Sequence, residues 1–148
     1  MTGTNSLVPE YSNEAVEKMY VQRDAALSSN DPEALLDCYA IDATLETPLV
    51  PHLMNTKNGT LHGHKELRPF FQLVADRKPT LRQYFRRGFF TDGKTMMWEY
   101  PRATPDGEQM DFVEVMTLND DGLIQRHRVY WGWMGVSVIQ EDQYRKAA

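Results

Sequence analysis

The chain holds 148 residues, 41% apolar and 11% aromatic, the make-up of one folded domain with one core rather than a disordered segment. A formal charge of −5 argues against a nucleic-acid partner, since phosphate binding needs a basic surplus. No apolar run is of signal type or approaches membrane-spanning length, so a cytoplasmic protein without a membrane partner is expected.

Residues 1–12, with Pro9, read as a flexible lead-in, residues 13–140 as a single domain and residues 141–148 as a tail. Ser12 or Asn13 can cap a first helix over about 14–29, whose apolar stripe is Val16, Met19, Tyr20 and Leu27. Arg23 falls on that stripe, which is an anomaly. Asp31-Pro32-Glu33 combines an Asp cap, a proline at the first helical position and an acid in the first turn. The second helix it starts is expected to reach about Ala40 and to bury Leu35, Cys38 and Tyr39. Cys38 is the single cysteine, which excludes an intrachain disulfide and suits a small buried thiol. Asp42–Thr47 reads as a short strand ended by Pro48. The loop of about fifteen residues that follows carries Pro51, His52 and Met54, and a loop of that length suits a function such as lidding a site. A third helix starts near Gly63-His64 and ends before Pro79, burying Leu67, Phe70, Phe71 and Val74, with a late start or a bend at Pro69.

The rest reads as strand. Leu81–Phe90 alternates, and its Arg82, Arg86 and Arg87 suit a solvated or ion-paired face. Thr91-Asp92-Gly93 turns, Thr95–Arg102 follows, and Thr104–Gly107 turns again. The last hairpin joins Asp111–Leu118 to Leu123–Trp131 through Asn119-Asp120-Asp121-Gly122. With Leu118 opposite Leu123, Glu114 faces His127 and Phe112 faces Val129 on one side of the sheet. A carboxylate and an imidazole side by side among apolar residues make either a small reactive site or a costly piece of structure. His52, His62, His64 and His127 are scattered, so no metal site is expected. Three helices before about five to six strands make an α+β pattern.

The order of elements, with Ser29-Asn-Asp-Pro-Glu33, Asp42-Ala-Thr-Leu-Glu-Thr-Pro48, Leu61-His-Gly63 and Asn119-Asp-Asp-Gly-Leu-Ile124, resembles the nuclear transport factor 2-like superfamily. Ketosteroid isomerases and SnoaL-like polyketide cyclases are the nearest likeness, over roughly residues 13–136. The resemblance implies a curved sheet wrapped around the N-terminal helices, a cone with one apolar pocket. It specifies the fold better than the function. The isomerase general-base aspartate falls on Thr47, which cannot act as that base. The isomerase phenol falls on Arg23, and its oxyanion-side aspartate on Glu114. The cyclase Glu-His-Trp-Asp stretch reads Arg126-His127-Arg128-Val129 here, keeping the histidine and losing the aspartate. Limonene epoxide hydrolases also place an acid near Val129. In the family the outer sheet face commonly pairs two subunits, which implies a homodimer through Arg126, Arg128 and Tyr130.

Alternation and resemblance agree on an inward face of Phe112, Glu114, Met116, His127, Val129 and Trp131. Met96, Trp98 and Tyr100 join it, unless a shift in the 104–107 turn brings Glu99 inward instead. Thr47 adds to the wall, and Tyr20 and Arg23 approach from the first helix. The candidate catalytic residues are therefore His127, Glu114, Arg23 and Tyr20. The candidate ligand-binding residues are Trp98, Tyr100, Phe112, Met116, Val129, Trp131 and Thr47. Two pairings compete. Glu114 can hold His127, fix its tautomer and raise its pKa, leaving it as general base or acid toward a carbonyl compound polarised by Tyr20 or Arg23. Alternatively Arg23 pairs with Glu114, which then stays ionised and structural. The function expected is binding of a small hydrophobic molecule, with isomerase, cyclase or hydratase chemistry by proton transfer and no cofactor. The alternative is a non-catalytic ligand-binding or assembly module.

Overall fold

The computed structural model describes residues 13–77, 86, 88–100, 103–104, 107–108 and 111–141. The lead-in 1–12 and most of the tail lie outside them. Helix α1 (Glu14–Ser28) buries Val16, Met19, Arg23 and Ala26 along one stripe. Asn13 precedes it without a side-chain cap bond, contrary to expectation, and Ser12 lies outside the described residues. Helix α2 (Pro32–Leu36) starts as its sequence dictates, with the Ala34 N–H donating to Asp31 Oδ1 at 3.0 Å. It ends well before Ala40. Strand β1 (Tyr39–Glu46) takes over, because the chain there pairs in parallel with the last strand, and the Ile124 N–H donates to the Cys38 carbonyl at 2.9 Å. Tyr39 therefore belongs to the sheet, not to a helical stripe.

The long loop holds a helix that the sequence did not announce, α3 (Leu49–Met54). Pro48 sits at its N-cap and Pro51 in its first turn, where the missing N–H has no intrahelical role. Asn55 ends it in the left-handed region at φ 54°. His52 is buried there rather than exposed on a loop. Strand β2 (Thr60–His62) pairs antiparallel with β1. Helix α4 (Gly63–Arg77) then opens at Gly63 with φ +74°, where an added Cβ would lie 3.2 Å from the Ile41 carbonyl. Pro69 lies inside α4 and does not delay its start.

Strands β3 (Phe90–Thr91), β4 (Thr95–Tyr100), β7 (Phe112–Leu118) and β8 (Ile124–Trp131) complete a six-stranded mixed sheet in the order β2-β1-β8-β7-β4-β3. Strands β5 (Ala103–Thr104) and β6 (Gly107–Glu108) form a separate two-stranded ribbon. Of the strand expected over Leu81–Phe90, residues 81–85 and 87 lie outside the described set. The described part is strand only from Phe90. A final helix, α5 (Trp133–Gln140), makes five helices among the described residues rather than three. None is long and apolar enough to cross a membrane.

The α+β architecture and the six strands agree with the sequence reading. The hairpin register does not. Leu118 pairs with Ile124, and an irregularity beside Thr117 then sets Met116 against His127, Glu114 against Val129 and Phe112 against Trp131. The offset from the expected pairing is two residues, one full side-chain period, so the same set still faces inward. Met96, Trp98 and Tyr100 are buried while Met97 and Glu99 are exposed, which settles the face of β4. The core lies between this inner face and helices α1, α2 and α4, and includes Leu36, Leu67, Phe70, Met96, Met116 and Ile124. On the outer face Tyr130 is 49% exposed, with the Arg128 guanidinium 5.5 Å from its ring centroid.

Candidate active site

A cavity of about 120 Å³ opens between the inner sheet face and the helices. Its apolar wall includes Leu27, Leu35, Leu45, Phe70, Phe71 and Val129. Its polar groups are Arg23 from α1, Tyr39 from β1, Thr47 just beyond β1, Tyr100 from β4, Glu114 from β7 and His127 from β8.

Glu114 is the hub. It sits on the middle of the inner face, directly opposite Trp98 and diagonal to Tyr100 and His127, distances that long side chains span. Its Oε1 accepts from Arg23 Nη2 at 3.2 Å and from His127 Nε2 at 2.8 Å. Its Oε2 accepts from Trp98 Nε1 at 3.0 Å and from the Tyr100 hydroxyl at 2.8 Å. The two pairings that the sequence set against each other thus coexist on one oxygen. Burial alone would raise the Glu114 pKa, but Arg23, His127 and Tyr100 together reverse this and hold it well below the usual carboxylate range. The Arg23 guanidinium loses hydration on burial, yet Glu114 together with Tyr39 and Tyr100 more than compensates and keeps it charged. Burial beside that carboxylate pushes the Tyr100 phenol well above its ordinary value.

The opposite side of the imidazole leads to a residue that the sequence reading left in the core. His127 Nδ1 lies 2.8 Å from the Tyr39 hydroxyl. An ionised carboxylate only accepts, so Nε2 carries the ring proton and Nδ1 accepts from the phenol. Burial lowers the His127 pKa, outweighing the support of Glu114, so the ring is neutral; the expected rise does not occur. Burial pushes the Tyr39 phenol up to about 12 despite the nearby Arg23. Arg23 Nε reaches back to the Tyr39 oxygen at 3.4 Å, and the His64 ring holds the Tyr39 carbonyl at 2.8 Å. The result is a continuous chain, Tyr39 O–H to His127 to Glu114, bracketed by one guanidinium. Donor, imidazole and buried carboxylate follow the logic of an activated triad.

Of the candidate residues, Arg23, Glu114, His127, Thr47, Tyr100, Phe112, Val129 and Trp131 all line the cavity. Trp98 and Met116 are fully buried behind the wall, where the Trp98 indole N–H donates to Glu114 and its ring lies under the Arg23 guanidinium, 5.8 Å from the centroid. Tyr20 lies elsewhere. Its ring packs 4.8 Å from Phe89 and edge-on 5.3 Å from Trp98, under the Arg86 guanidinium. Arg86 is ion-paired with Asp24, while Arg82 and Arg87 lie outside the described residues. Thr47 spends its hydroxyl on the Leu49 N–H at 3.3 Å, which anchors the start of α3. Tyr39 could not be told from core in the sequence, since Leu35, Cys38 and Tyr39 fit one helical stripe. Cys38 itself is buried, its thiol pushed up to about 11, and stays inert.

The sequence pattern of the SnoaL-like domain matches residues 16–127. No curated protein matches the chain significantly. Among solved structures, a SnoaL-like protein of unknown function from Burkholderia thailandensis E264 superposes with a TM-score of 0.69 at 14% identity, over 84% of this chain and 99% of that one. An NTF2-like protein from Anabaena variabilis ATCC 29413 gives 0.64 at 18% identity, over 86% and 96%. An epoxide hydrolase/cyclase-like enzyme with a role in pyran ring formation in the polyether salinomycin gives 0.62 at 18%, over 82% and 94%. At such identities these likenesses show the fold alone.

Proposed function

This chain belongs to the SnoaL-like domain family, and from that premise we propose that it is a cofactor-independent enzyme moving a proton on a small, mostly apolar molecule, as an isomerase, cyclase or hydratase does. The observation that carries the reading is the hydrogen-bonded chain Tyr39–His127–Glu114 in the cavity wall. Neutral His127 has its basic Nδ1 against the phenol. When a ligand proton reaches the Tyr39 oxygen, the phenol's own proton passes to Nδ1, and the imidazolium formed is balanced by Glu114. Reversal of the same steps returns a proton to another ligand atom. Such general acid–base assistance is worth about 10²–10⁴-fold in rate. The salinomycin-pathway enzyme supports the reading as an example of cyclase-like chemistry on this fold.

A second reading, a non-catalytic binding module, is favoured by the full satisfaction of Glu114 by four donors, the pattern of a structural ion pair. The experiment is an NMR screen of enones, enolisable ketones, epoxides and hydroxylated aromatics with wild type and His127→Gln. Conversion by wild type that is lost in the variant, with binding retained, supports the enzyme. Binding without conversion in every class rejects it in favour of the module.

A further inference from the structure

The register of β1 leaves one backbone group to a side chain. At Tyr39 the strand pairs in parallel with Ile124 of β8, and the Ile124 N–H donates to the Cys38 carbonyl at 2.9 Å. Successive carbonyls of a strand point to opposite edges, so that of Tyr39 points away from β8. Strand β2 covers that edge only at Thr44, Leu45 and Glu46. His64, in the first turn of α4, takes the place of a strand beside Tyr39. Its Nε2 lies 2.8 Å from the Tyr39 carbonyl oxygen. A carbonyl only accepts, so that nitrogen carries a proton and donates it. The same helix holds the ring of Tyr39, with the Phe71 centroid 5.2 Å away. His64, Leu67 and Phe71 follow the i, i+3, i+7 spacing of one helical stripe, on which Leu67 and Phe71 are buried. Two contacts fix the turn that carries His64. Gly63 sets it against β1, since an added Cβ would lie 3.2 Å from the Ile41 carbonyl, and the His62 N–H donates to Glu66 Oε1 at 3.0 Å. Helix α4 thus grips Tyr39 at backbone and ring. The β1–β8 register is irregular between Tyr39 and Thr44, so the ladder alone does not fix this end of the strand.

We propose that His64 is a positioning residue: by holding the Tyr39 carbonyl from α4, it sets the approach of the Tyr39 hydroxyl to His127 Nδ1, 2.8 Å away. The proposal rests on the reading of Tyr39–His127–Glu114 as a proton relay and names what keeps its first link short. His64 acts through the backbone of Tyr39 and is not among the residues that line the cavity. Its loss is therefore expected to leave the binding surface in place and to lengthen the link. A misplacement of about 1 Å in a reacting geometry costs about 10²-fold in rate.

The test is ¹⁵N NMR of the histidine-labelled chain as wild type, His64→Leu, His64→Gln and Tyr39→Phe. An unprotonated imidazole nitrogen shifts upfield on accepting a hydrogen bond, so the His127 Nδ1 signal reads the Tyr39 contact with no ligand present. Tyr39→Phe gives its position without the contact. In His64→Leu the signal is expected to move toward that position. His64→Gln, whose amide can donate to the same carbonyl, should restore the wild-type position. If His64→Leu does not fold, His64→Met, also without a donor, replaces it. A signal that stays at the wild-type position in the donor-less variant, or that glutamine does not restore, overturns the proposal. Deuterium uptake from D₂O into 2-cyclohexen-1-one is expected to slow by up to about 10²-fold in the donor-less variant at unchanged Kd, and to recover with glutamine. A loss that lies wholly in Kd overturns the positioning role. Wild type without uptake sinks the enzyme reading, and the nitrogen signal then decides the role of His64 alone.

Discussion

Replacing Glu114 by Gln removes one charge and almost no volume, so its cost reports the electrostatics of the hub. The carboxylate accepts four hydrogen bonds. An amide has one oxygen and one donor group. With that oxygen turned toward Arg23 and His127, its NH₂ faces Trp98 and Tyr100. The phenol can rotate and accept, but the indole N–H can only donate and is stranded, at about 1–3 kcal/mol. The Arg23 guanidinium is left without a counter-charge in the interior, at about 3–5 kcal/mol. Because the terms share atoms, a total of roughly 4–6 kcal/mol is expected, a large fraction of an ordinary domain's stability. Urea unfolding followed by circular dichroism measures it, with a fall in Tm of roughly 10–20 °C as a second readout. The double variant Arg23→Met/Glu114→Gln should be more stable than Glu114→Gln alone, since the orphaned cation is gone. A loss below about 1 kcal/mol for the single variant, or simple additivity in the cycle, would refute the hub.

Tyr39→Phe deletes the hydroxyl between His127 and Arg23; it should cost about 1–3 kcal/mol in urea unfolding and about 10²-fold or more in turnover, and unchanged turnover would make Tyr39 a support rather than a relay. Stability should fall in acid. Burial lowers the folded pKa of His127 from its ordinary 6.5, and Arg23 with His127 overcomes burial to lower that of Glu114 from 4.5, so the unfolded chain binds more protons below each value. The His127 contribution is therefore complete above about 6.5 and declines below it; the Glu114 contribution follows below about 4.5. Tyr39 acts in the opposite sense, its contribution complete below about 10 and lost as pH rises toward 12. Urea midpoints at pH 5, 7.5 and 11 check both limbs, and equal midpoints at 5 and 7.5 would contradict a neutral buried imidazole. Asp31→Ala should cost about 1 kcal/mol through the lost cap and leave ligand affinity unchanged; altered affinity would mean that α2 positions the cavity more tightly than its contacts imply.

Much of the fold was legible because its strongest signals are local. Asp31-Pro32 starts α2, Gly63 opens α4, and alternation along β7 and β8 places Glu114 and His127 on one face. The misses have non-local causes. The sequence pattern carries α2 on to about Ala40 because a helical stripe and a buried strand share apolar residues; only pairing with Ile124 decides. The irregularity beside Thr117 is invisible in a turn motif. Helix α5 contains Gly135 and β-branched residues, and its start is anchored by Asp111, the residue before β7, which accepts from the Gly135 N–H at 3.1 Å. At the site, Arg23 and Glu114 stood out as charges on apolar stripes, while Tyr39, amphipathic and at home in a core, did not.

Proton transfer in the cavity is tested most directly by deuterium uptake from D₂O into the carbon beside the carbonyl of added 2-cyclohexen-1-one, followed by NMR against pH for wild type and His127→Gln. Uptake above the buffer rate is expected, rising with pH through an inflection below pH 6.5 to a plateau, because the base is an imidazole whose pKa burial has lowered, and absent in the variant. Uptake equal in wild type and variant, or a wild-type profile with no inflection, would contradict His127 as the base.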